Sequence, residues 1–124
     1  LWAEVASVEQ AKSIKNNLLN PDTFNTFVPL PTLAANQPKF KPDNGYWRGP
    51  IWLDQSYFGI KKKKKYGYQN EANQLAHKLI HNAEGALKKG KSIRENYNPI
   101  TGKGLEGENF SWSAAHYLML LLKN

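Results

Sequence analysis

Three short segments of this chain hold side chains whose types and spacing could do chemistry. Residues 46–55 read YWRGPIWLDQ and place two indoles, a guanidinium, a carboxylate and a carboxamide within ten positions. Sugars call for that mixture, because flat aromatic faces cover ring C–H groups and planar polar groups pair with hydroxyls. The plainer reading is a buried Arg48–Asp54 pair inside an aromatic core. Residues 93–99 read IRENYNP, with Glu95 beside Arg94 and a turn fixed by Pro99 and Gly102. A carboxylate held on an ordered loop beside a cavity can act as a general base. A solvated loop glutamate is the plainer reading. Residues 109–116 read NFSWSAAH. Trp112 and His116 stand four apart, hence on one helix face. His116 is either catalytic or a hydrogen-bonded core histidine.

Other chemistry finds little support. His77 and His81 have metal-ligand spacing, but Lys78, Leu79 and Ile80 lie between them and the glutamate of a zinc protease helix is missing. No metal site and no cofactor are expected. No serine sits in a nucleophile elbow, and no glycine loop can cradle a phosphate. The chain has no cysteine, which excludes disulfides, thiolate zinc sites and cysteine nucleophiles together. The net charge of +7 owes much to residues 61–65, a run of five lysines. No arginine–glycine–aromatic pattern surrounds the run, so a solvated helix end is expected and nucleic acid is not. Successive helical residues advance about 100°, so five lysines sweep past the packed face and one must snorkel or the helix must fray.

The elements that would position the three segments are mostly helical. Ser7 and Gln10 form a capping box, and Val8, Ala11, Ile14, Lys15 and Leu18 follow at helical spacing until Asn20-Pro21. Trp2 and Val5 extend that apolar face backwards. From Pro21 to Pro50 the density of prolines forbids helix or central strand. Phe24, Phe27, Val28, Leu30, Leu33 and Phe40 in the same stretch point to an ordered, extended wrap. A second helix is expected over 51–65 with a stop at Gly67, and a third over 69–89 with Gly90 as its stop. Its apolar face is Ala72, Leu75, Ala76, Leu79, Ile80, Ala83 and Leu87. Residues 95–107 are expected to be loop. A last helix over 111–122 is apolar nearly all round, which predicts burial.

With 40% hydrophobic and 22% charged residues, the sequence reads as one soluble globular domain over 1–124, cytoplasmic or exported. No apolar run reaches the roughly 18 residues needed to span a bilayer. No signal peptide is visible, and the start at Leu1 fits a processed or truncated beginning.

Taken together and in order, YWRGPIWLDQ (46–55), ENYNPITG (95–102) and NFSWSAAH (109–116) resemble the C-terminal part of bacterial glycoside hydrolases of family 63. These are relatives of processing α-glucosidase and share a clan with trehalases. Pro29-Leu30-Pro31-Thr32-Leu33 and Tyr66-Gly67-Tyr68 also fit, so the resemblance runs from Trp2 to Leu122. The lysine run departs from it. The resemblance implies an all-α fold, the closing part of an (α/α)6 barrel with about four helices and the long proline-rich loop. It implies hydrolysis of an α-glucosidic bond with inversion, in which Glu95 is the general base. Tyr46, Trp47, Arg48, Trp52, Asp54, Tyr97, Phe110 and Trp112 would bind an oligosaccharide or glucoside, Asp54 as a binding or orienting carboxylate. The general acid, an aspartate in the family, would come from an earlier part of the barrel, and this chain alone would be inactive. Two rivals stand beside this reading: a trehalase-like or mannosylglycerate-type hydrolase of the same barrel, and a non-enzymatic basic helical interaction module.

Overall fold

The computed structural model describes residues 3–61, 66–87 and 90–122. The elements follow in the order α1 (Val8–Leu19), α2 (Leu53–Lys61), α3 (Gln69–Asn82), β1 (Arg94–Tyr97), β2 (Gly104–Glu108) and α4 (Ser111–Leu121). β1 and β2 pair antiparallel as a hairpin. The all-α expectation is therefore corrected: residues expected to be loop form a small sheet. Its strands, RENY and GLEGE, hold few β-branched or aromatic residues, so neither carries a strand signal. The hairpin is closed by Asn98, whose side-chain oxygen accepts from the N–H groups of Ile100 and Thr101 at 2.8 and 3.0 Å. Gly102 then takes φ +76, and a Cβ there would stand 2.2 Å from the Asn82 carbonyl oxygen. Only glycine fits both demands.

α1 begins as its sequence predicts. Gln10 N–H donates to Ser7 Oγ at 3.2 Å, and Ser7 N–H donates to Gln10 Oε1 at 2.8 Å. The apolar stripe fares less well. Ala11 is the one fully buried residue of α1, whereas Val5 and Val8 are 85% and 73% exposed. Trp2 lies outside the described residues.

α2 starts at Leu53 rather than at Ile51, because the Ile51 backbone is already committed: its N–H and C=O both pair with Tyr97. The expected run to residue 65 falls partly on 62–65, outside the described residues. Lys61 is exposed and sets its ammonium 5.5 Å from the Tyr57 ring centroid. α3 buries Ala72, Leu75, Ala76, Leu79 and Ile80, and Ala83 is buried just beyond it, as the spacing predicts; Leu87, expected on the same face, lies past the helix and is 55% exposed. It ends at Asn82, well before residue 89, because Ala83 turns extended, Asn82 donates to Phe27 O and Glu84 N–H donates to Gly102 O. Residues 88 and 89 lie outside the described residues.

The core gathers Val28 and Leu30 from the wrap, Leu53, Tyr57 and Ile60 from α2, the apolar face of α3, Tyr97 from β1, and Tyr117 and Leu120 from α4. Burying a side chain such as Val28 fully contributes roughly 1.5–3 kcal/mol, which explains why residues 21–50 are ordered without helix or strand. Polar anchors add to this. Lys78 Nζ donates to the Asn25 carbonyl and side-chain oxygens, both at 2.9 Å, and Val28 N–H donates to Pro99 O at 2.9 Å. α4 departs from expectation. Only Ser113, Tyr117 and Leu120 are buried, while Leu118, Leu121 and Leu122 are 54%, 42% and 76% exposed. This chain alone offers a packing partner to one face of a helix that is apolar on nearly all of them. No described helix is long and apolar enough to cross a membrane.

Candidate active site

The Tyr46 segment and the Glu95 segment meet through backbone pairing. Ile51 N–H donates to Tyr97 O at 2.8 Å and Tyr97 N–H donates to Ile51 O at 3.0 Å. The Tyr46 segment is also pinned from the wrap: Thr32 Oγ donates to Pro50 O at 3.0 Å and accepts from Gly49 N–H at 3.1 Å. Behind it, Asn98 Nδ2 donates to Asp43.

Glu95 stands at an irregularity of the hairpin. Arg94 pairs with Glu108 and Asn96 with Leu105, so Glu106 and Gly107 both face the single residue Glu95. Such a bulge re-aims a side chain. Glu106 adopts φ +58 within it. Gly107 N–H reaches Glu95 Oε2 at 3.3 Å, and Tyr46 Oη donates to Glu95 Oε1 at 2.8 Å. Ser113 Oγ donates to the Glu95 carbonyl at 2.9 Å, which ties the strand to the first turn of α4. Arg94 turns away: its guanidinium donates to Glu108 Oε1 and to Glu106 O.

Through Tyr46 this carboxylate adjoins a cluster of aromatic rings. Trp47 stacks on Trp52 with centroids 4.1 Å apart, and Tyr46 meets Trp52 edge-on at 5.0 Å. Trp52 and Trp112 stand 6.0 Å apart, and Phe110 and Trp112 6.3 Å. Tyr46, Trp47 and Trp112 are each nearly half exposed. The Tyr46 phenol is pushed above its usual value, first by its hydrogen bond to Glu95, then by desolvation and by the charges of Glu95 and Glu106.

The structure thus brings Tyr46, Trp47, Trp52, Glu95, Phe110 and Trp112 together. Two expected aromatic contact residues are buried. Tyr97 is fully buried and its hydroxyl accepts from Arg94 N–H at 2.9 Å, so it is a core support. Burial holds its phenol above the usual value, partly offset by that N–H. Trp52, 3% exposed, underlies the aromatic wall rather than facing solvent. The buried Arg48–Asp54 pair does not form among the described residues. Arg48 is exposed, whereas Asp54 is buried in the first turn of α2, where its charge suits the helix N-terminus, and accepts from Gln55 Nε2 at 2.9 Å.

His116 bonds the Trp112 carbonyl through Nδ1 and packs edge-on against Tyr57 and Phe58, as a structural histidine does. His77 and His81 stack at 3.7 Å, and no group of three or more metal-ligating side chains gathers among the described residues. The bulge donor Gly107 and the tie from Ser113 escaped the sequence reading. Both depend on the hairpin, and the glycines of residues 102–107 are its faint trace.

Comparison with known proteins bears on the family and the fold. Residues 1–113 match the family model described as mannosylglycerate hydrolase MGH1-like glycoside hydrolase domain. Mannosylglycerate hydrolase of Thermus thermophilus is 37% identical over 86 residues, 69% of this chain and 19% of that protein. Mannosylglycerate hydrolase MGH1 of Selaginella moellendorffii is 34% identical over 126 residues, 99% of this chain and 24% of its own length. The crystal structure of a family 63 mannosylglycerate hydrolase from Thermus thermophilus in complex with glucose superposes with a TM-score of 0.79 at 27% identity, over 99% of this chain and 27% of that one. This chain spans about a fifth to a quarter of the length of these two mannosylglycerate hydrolases. On its motifs, its fold and these matches, the chain belongs to the mannosylglycerate hydrolase MGH1-like glycoside hydrolases of family 63.

Proposed function

We propose that this chain is the closing part of an inverting glycoside hydrolase and supplies its general base, Glu95. The observation that carries the reading is the setting of that carboxylate. One oxygen accepts from a tyrosine and the other from a backbone N–H, and that tyrosine's ring meets the indoles of Trp47 and Trp52. In the proposed reaction a second carboxylic acid protonates the glycosidic oxygen as the bond to the anomeric carbon breaks. Glu95 takes a proton from the water that attacks the opposite face. Inversion requires the two carboxyl groups roughly 6.5–9.5 Å apart, which leaves room for that water. The acid belongs to the rest of the protein, which completes an (α/α)6 barrel around the exposed apolar face of α4. Trp47 and Trp112 form the sugar-facing wall, with Phe110 beside Trp112; Arg48 is exposed in the same segment, and Asp54, buried in the first turn of α2, orients from behind.

The substrate we favour is mannosylglycerate, because the family model and two relatives carry that name. An α-glucoside is the second reading, favoured by the glucose in the solved relative. The complete protein should be assayed on both, with the anomer first released followed by proton NMR. An α-linked substrate should give the β anomer first. Early release of the α anomer would overturn inversion, and robust hydrolysis by these 124 residues alone would overturn the division of acid and base.

A further inference from the structure

We propose that Tyr46 is a positioning residue that holds the Glu95 carboxylate in line through its hydroxyl, and is not a sugar contact. The inference rests on the reading of Glu95 as the base. A phenol has one proton to donate, and here it goes to Glu95 Oε1 at 2.8 Å. Gly107 N–H takes the other oxygen at 3.3 Å. One donor on each oxygen fixes the plane of the carboxylate and leaves further acceptor sites for a water.

The delivery of that hydroxyl is over-determined. Tyr46 adopts φ +56, a left-handed conformation rare for a bulky residue and kept only where its surroundings impose it. Trp52 imposes it from below, its buried indole donating to Tyr46 O at 3.1 Å while its ring meets the phenol edge-on. The preceding turn is equally fixed, since Gly45 N–H donates to Lys41 O at 3.1 Å and a Cβ on Gly45 would stand 2.3 Å from that same oxygen. The backbone of β1 is tied in turn by Ser113. Both ends of the Tyr46–Glu95 bond are therefore anchored independently. Of the charged neighbours, Glu106 faces the pair across the bulge, and Arg94 is engaged with Glu108 and the Glu106 carbonyl.

The test is a kinetic cycle in the complete enzyme with Tyr46→Phe, Glu95→Gln and the double variant, on the substrate that it hydrolyses. Tyr46→Phe keeps the ring and its stacking. A misplaced base costs rate rather than binding, so kcat should fall on the order of 10-fold with KM within about twofold. In the Glu95→Gln background the same change should cost nothing further, because the carboxamide is still held but no base remains to be aligned. A rise in KM at unchanged kcat would make Tyr46 a sugar contact and overturn the proposal. Unchanged kinetics, or an equal loss in both backgrounds, would overturn it as well. In each of those cases an inactive Glu95→Gln enzyme would leave the base assignment standing, whereas a Glu95→Gln enzyme with normal kcat would remove both.

Discussion

Ile51 and Tyr97 exchange both backbone hydrogen bonds, at 2.8 and 3.0 Å, and this single bridge sets the aromatic segment against the hairpin that carries Glu95. Tyr97 is fully buried behind it. In the complete protein, Tyr97→Phe leaves the Arg94 N–H without its 2.9 Å acceptor and should cost about 1–2 kcal/mol in urea melts. Tyr97→Ala also opens a cavity and should cost about 3–5 kcal/mol. Variants as stable as the parent but with raised KM would show that Tyr97 meets substrate instead.

Gly102 and Gly67 share nearly the same left-handed φ, +76 and +79, but differ in space. A Cβ on Gly67 meets nothing within 4 Å, so Gly67→Ala should cost only the conformational penalty of about 1–2 kcal/mol. Gly102→Ala adds a clash with the Asn82 carbonyl oxygen and should be clearly worse. Thermal melts of the two variants measure the difference, and equal losses would show that the turn can relax.

Glu84 accepts from Gly104 N–H at 2.9 Å and faces Lys91 at 3.5 Å. These contacts, the backbone N–H foremost, hold its carboxyl below the ordinary 4.5. A carboxyl depressed in the folded state stabilises the fold above its unfolded value and loses that contribution as pH falls through the folded one. Stability should therefore decline below about pH 4.5 in part through this hinge, and Glu84→Gln should flatten that part of the profile. A parallel acid decline in the variant would contradict the assignment.

Much of this was legible in the residues. The capping box of Ser7 and Gln10, the apolar face of α3 and the ordered wrap all rest on local patterns that packing did not override. The hairpin was not, because RENY and GLEGE lack alternation; they pair through the Asn98 turn and through Ile51, a partner more than forty positions away. The register that points Glu95 at Tyr46 was invisible for the same reason. α4 shows the opposite case: its all-round apolar sequence promised burial, but this chain covers only one face.

The proposed role of Glu95 as the base is tested most directly by comparing Glu95→Gln with Glu106→Gln in the complete enzyme. Gln keeps the size of Glu95 and can still accept from Tyr46, but it no longer takes a proton from water. The kcat of Glu95→Gln should fall by roughly 10²–10⁴-fold with substrate binding retained. Glu106, across the bulge and exposed, should tolerate the same change with little loss. If Glu95→Gln kept most of its kcat while Glu106→Gln lost it, the base would be Glu106 and the role assigned to Glu95 would be wrong.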